Sequence, residues 1–161
     1  MIAFTIAVAN AVHMLAAVVW VGGMFFAHMV LRPSLGAFEP PERLRLWTGV
    51  FSRFFPWVWV AVLALPASGY WRVILNGGFG NADLHVHLMH VIGLVMIALY
   101  VYLYIAPYSH FRKAVKAADW PTAGGHLNAI RRIVVTNLAL GLITAALGAS
   151  GRYWGYLIKN L

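Results

Sequence analysis

The chain alternates long apolar stretches with short polar ones. Met1 to Leu31, Phe54 to Trp71, Leu84 to Phe111 and Ile133 to Gly151 contain no Asp, Glu, Lys or Arg. A helix needs on the order of 20 apolar residues to cross the roughly 30 Å hydrocarbon layer of a bilayer. Each stretch has about that length. The alternating ten-residue strands of a transmembrane barrel are not present in the pattern. The expected fold is therefore all-α: an integral membrane four-helix bundle, one transmembrane domain over residues 1–161. Its helices are expected at about 3–31, 47–75, 83–106 and 127–157.

The connections fit four spans. Pro33, Pro40 and Pro41 interrupt the first polar stretch before an amphipathic start to the second helix. "NGGFGNAD" reads as a tight turn, with Asp83 placed to cap the third helix. "HFRKAVKAADWPTAGGHLNAIRR" reads as a short interfacial helix ending before Pro121, then a flexible link at Gly124 and Gly125. Pro66 is expected to kink the second helix.

Composition strengthens the membrane reading. Hydrophobic residues make up 62% of the chain and charged residues 10%, against roughly 25% charged in soluble domains. The net charge of +8 is concentrated in two connections. Arg32, Arg43, Arg45 and Arg53 lie between helices one and two; Arg112, Lys113, Lys116, Arg131 and Arg132 lie between helices three and four. The positive-inside bias makes those connections cytoplasmic and both termini external. The basic excess thus points to orientation and lipid headgroups, with the lipid bilayer as partner and no nucleic acid. Arg32 is the first basic residue, so the first helix lacks a signal peptide's n-region and is expected to be retained. There is no cysteine, which excludes disulfides, thiolate metal sites and Cys nucleophiles.

An internal echo links two helix ends: "LPASGYW" from Leu65 to Trp71 and "LGASGRYW" from Leu147 to Trp154. Both place small residues where helices approach closely and aromatic rings at an interface, through Ser68, Tyr70 and Trp71 and through Ser150, Tyr153 and Trp154. Duplication and coincidence both account for this. Duplication implies two parallel two-helix repeats about an axis along the membrane normal.

Histidine carries the candidate chemistry, because an imidazole in hydrocarbon needs a partner. His13, His87 and His90 fall at overlapping depths in the outer half of the bundle. His85 is expected to be interfacial and hydrated, leaving His87 and His90 as the counterparts of His13. Four readings stay open. Each imidazole could bond a neighbouring helix, or the set could relay protons. Haem b could be held by two of them in a slot lined by Trp20, Gly22, Gly23 and Trp57. Copper could be held with thioether help from Met14 or Met89. His28, His110 and His126 lie nearer the basic end, where solvated or headgroup-facing roles are expected.

Three stretches carry a resemblance: "HMLAAVVWVGGMFFAHMVLRPSL", "FSRFFPWVWVAVLALPASGYW" and "NLALGLITAALGASGRYW". They resemble the copper-resistance protein D (CopD) family of bacterial inner-membrane proteins. That resemblance implies copper handling by transport, delivery or tolerance, with a periplasmic copper-binding protein or a redox partner. More distantly, His13 followed by Trp20 and Gly22-Gly23 is similar to helix one of HemJ-type protoporphyrinogen oxidases. That likeness implies His13 as a haem ligand and quinone- or porphyrinogen-linked electron transfer. The functional Lys of those enzymes is replaced here by His87, which argues against the same oxidase activity. A cofactor-free structural subunit is the remaining class, and oligomeric state is left open.

Overall fold

A computed structural model describes residues 1–154, apart from the side chains of Ile2 and Arg152. Four helices run Ala3–Ser34 (α1), Pro40–Leu75 (α2), Leu84–Lys116 (α3) and Trp120–Ser150 (α4), each long and apolar enough to cross a membrane. No strand occurs among the described residues. The architecture is the all-α four-helix bundle expected from the hydrophobic pattern. The expected end of the last helix near residue 157 lies outside the described residues.

Local chemistry explains the boundaries. α2 starts at Pro40 and Pro41, where a missing N–H costs nothing, with Glu42 in the first turn. It ends in a Schellman cap: Gly77 has φ 91°, its N–H donates to Ile74 O, and the Gly78 N–H donates to Val73 O at 2.8 Å. α3 closes in the same way, except that Ala118 supplies the left-handed residue, with φ 55°. The Asp119 N–H then reaches Ala114 O at 3.0 Å.

Three details differ from the sequence expectation. No separate interfacial helix forms, because α3 runs on to Lys116 through a π-helical turn at Tyr104–Tyr108 that contains Pro107. The expected Gly124-Gly125 link is helical, since Asp119 caps α4 by accepting from the Thr122 N–H at 3.2 Å and Pro121 occupies the first turn. Asp83 precedes α3 but makes no side-chain capping bond. Pro56 and Pro66 both sit inside a continuous α2.

α1 packs on α2 and α3 packs on α4. The densest core lies toward the basic end and is aromatic. Phe51 and Phe55 stack at 5.0 Å, and Tyr108 meets Phe55 edge-on at 4.7 Å. The Tyr100 hydroxyl donates to Phe55 O at 3.0 Å, tying α3 to α2. Asn137, 2% exposed, donates to Met96 O at 3.1 Å and ties α4 to α3. Gly141 lets α4 approach both α1 and α3: a Cβ there would lie 2.8 Å from Val21 and 3.2 Å from Met96. Phe4, Leu15, Leu63, Leu84 and Ile105 are exposed apolar residues, as lipid-facing positions require.

Candidate functional site

The end of the bundle bearing the N-terminus holds His13, His85, His87 and His90. His13 lies on α1 and faces the Ala-Ser-Gly step of α2. Its Nδ1 is 3.1 Å from Leu65 O and 3.0 Å from Ser68 Oγ. A carbonyl oxygen can only accept, so the Leu65 contact places the ring proton on Nδ1. The Ser68 hydroxyl donates to Ala64 O at 2.6 Å, which leaves its oxygen able to accept from His13. Nδ1 is thus the donor, and Nε2 keeps its lone pair. Gly69 makes room, since a Cβ there would be 3.5 Å from His13 Cε1.

A similar contact recurs between α3 and α4, made by His85. Its ring fills the space beside Gly151 that a Cβ would need and meets Trp154 at 6.2 Å. Its side chain is 13% exposed, and Nδ1 lies 4.0 Å from Asp83 Oδ2 with no hydrogen-bond partner among the described residues. One turn further along α3, Met89 lies over α4; a Cβ at Gly148 would be 3.2 Å from its Sδ. His85 lies in the first turn of α3 beside the exposed Asp83, at the end of the span where it is expected, and its ring is partly buried against Gly151.

The other expected residues are placed differently. His87 is exposed and lies 5.7 Å from the Phe79 ring. His90 packs on Tyr70 at 5.5 Å and Phe79 at 5.2 Å. Neither is joined to His13 by these contacts. Met14 is 63% exposed and Trp57 62% exposed, so one faces away from His13 and the other cannot wall an internal slot. Gly22 opens on empty space, whereas Gly23 packs against the Phe54 ring and Trp20 is buried against Tyr100 at 6.0 Å. Ser150 bonds back to Ala146 O at 2.8 Å. Tyr70, Trp71 and Tyr153 are exposed and Trp154 is partly buried. Among the described residues, no group of three or more His, Asp or Glu side chains is arranged to hold a metal ion.

Sequence reading missed His85, although a signal was present. His13 and Met24 have the same spacing as His85 and Met96, and both methionines are buried. That match aligns α1 with α3 on His85. Toward the basic end, the His110 and His126 rings stack at 5.3 Å, while His28 lines a crevice with Arg32, Trp47 and Arg131.

Residues 48–150 match the family model of copper resistance protein D, more than half of the chain. The chain belongs to the CopD family. The matched segment covers most of α2 and all of α3 and α4, and hence Ser68, His85, Met89 and Gly148; α1 with His13 lies outside it, and the match stops one residue short of Gly151. No curated protein matches the chain, and no solved structure does. Nothing in these comparisons supports the more distant likeness to HemJ-type oxidases. CopD membership makes this a membrane protein of a copper-resistance family.

Proposed function

We propose that this CopD protein handles copper, by transport, delivery or tolerance, through an intramembrane imidazole at its terminus-bearing end. The observation that carries the reading is the orientation of His13. Metal-ligating histidines characteristically donate one ring N–H to a carbonyl or other acceptor, which fixes the tautomer and leaves the other nitrogen as ligand. Leu65 O and Ser68 Oγ do this for His13 Nδ1. Copper is the cargo, and Nε2 is its contact on α1. His87 and His90 lie along the approach from the adjoining turn, beside Phe79 and Tyr70.

The bundle is one domain in the bacterial inner membrane with both termini outside, so a periplasmic copper-binding protein is the natural donor or acceptor. A groove at the basic end supports this orientation. It is lined by Tyr104, Tyr108, Arg112, Lys113 and Lys116, and suits the anionic headgroups of a cytoplasmic leaflet. Haem b is a poorer fit, because His13 is held against α2, His90 packs on Tyr70 and Phe79, and Trp57 faces outward.

The test is a copper(I) titration of the purified protein against a chromophoric competitor, with metal analysis and a visible spectrum. Wild type is expected to retain copper, and His13→Ala to weaken retention at least tenfold. Unchanged retention in His13→Ala, or a Soret band in the wild-type spectrum, overturns the reading.

A further inference from the structure

We infer that His85 and Met89 form a second copper(I) ligand pair on α3, with Asp83 at its mouth. This extends the His13 reading and rests on it for the identity of the cargo. Residues four apart share a helix face. His85 and Met89 lie against glycines at the end of α4 and just beyond it, Gly151 and Gly148, so imidazole and thioether are neighbours on the face of α3 turned toward them. That donor combination suits copper(I), since thioether sulfur is soft and imidazole binds copper well. Zinc and magnesium are poorly served by it.

His85 has what a ligand requires. Its Nδ1 is buried without a hydrogen-bond partner among the described residues, an unfavourable state for a polar atom unless a further group binds there. The Asp83 carboxylate, 79% exposed, lies 4.0 Å away. The series from Asp83 through His85 to Met89 runs from hard oxygen at the aqueous rim to soft sulfur deeper in the bundle. A copper ion entering along it exchanges water for protein ligands stepwise, with no change of oxidation state.

The placement also completes the internal echo. His13 lies beside Gly69 of the first Ala-Ser-Gly step, and His85 lies beside Gly151 of the second. The two-helix repeats thus each present one imidazole at corresponding positions. The second repeat adds Met89 where the aligned residue of α1 is Ala17.

Copper K-edge X-ray absorption on the copper(I)-loaded full-length protein tests this, because the chain has no cysteine and any sulfur scatterer must be methionine. Wild type is expected to bind two copper(I) ions per chain and to show a sulfur scatterer. Met89→Leu, which preserves packing, should lose that scatterer and weaken one of the two sites at least tenfold. His85→Gln should lose the same site, and His13→Ala should keep the sulfur signal. Retention of the sulfur signal in Met89→Leu, or a wild-type protein with nitrogen and oxygen ligands only, overturns the pair while leaving His13 standing. Loss of copper from Met89→Leu together with full retention by His13→Ala overturns the His13 reading and leaves the pair. A wild type that binds no copper overturns both.

Discussion

His13 Nδ1 on α1 lies 3.0 Å from Ser68 Oγ on α2, and that contact joins the candidate ligand to the Ala-Ser-Gly step. Ser68 is 6% exposed and has its own proton committed to Ala64 O. It therefore acts on His13 as an acceptor that orients the ring. Ser68→Ala should reduce copper(I) retention about tenfold, the lower end of the range for losing an orienting partner of a metal ligand. Leu65 O still holds the ring and limits the loss. A competition titration measures it, and His13→Ala with the same assay sets the floor.

The two glycines beside the imidazoles should differ in tolerance. At Gly69 an added methyl meets His13 Cε1 at 3.5 Å, ordinary contact, whereas at Gly151 the His85 ring already occupies the space. Gly69→Ala should therefore leave thermal stability in detergent nearly unchanged. Gly151→Ala should cost about 1–3 kcal/mol, the usual penalty for overpacking.

Ala118 offers a stabilising change. It takes the left-handed position of the α3 cap at φ 55°, where a Cβ costs about 1–2 kcal/mol and glycine does not pay it. Glycine's greater freedom in the unfolded chain offsets part of that gain. Ala118→Gly should raise stability by about 0.5–1 kcal/mol, read as a shift in the thermal midpoint.

The Tyr100 hydroxyl bonds Phe55 O between α3 and α2 within the aromatic core. Interhelical hydrogen bonds in membrane proteins average about 0.6 kcal/mol with a maximum near 1.7. Tyr100→Phe should fall in that range and leave copper retention intact, because the bond lies in the basic half, away from His13. Denaturation and metal titration on the same preparation separate the two effects.

Asp119 gives a pH dependence. The Thr122 hydrogen bonds hold its carboxyl below the usual 3.8. A depressed folded value means that the cap stabilises above the unfolded value and is lost as pH falls through the folded one. The protection of the first-turn amides of α4, their exchange measured against the intrinsic rate at each pH, should fall on acidification below the ordinary carboxylate range. Asp119→Ala should show that low protection already at neutral pH, with little further change in acid.

The four spans were legible in the sequence because crossing hydrocarbon demands a long uncharged stretch, a requirement that acts on each segment alone. The basic connections and the Pro40-Pro41 start were legible for the same local reason. His13 could be singled out because a polar ring in an apolar run needs a partner, and the sequence says where such a ring occurs. It cannot say which neighbour answers it. The tertiary structure decided that Ser68 and Leu65 satisfy His13, that His85 packs against Gly151, and that His87 and Trp57 face outward. Those outcomes depend on how each helix is rotated about its axis. The hydrophobic pattern barely specifies that rotation when nearly every face is apolar, and close packing at Gly141, Gly148 and Gly151 fixes it.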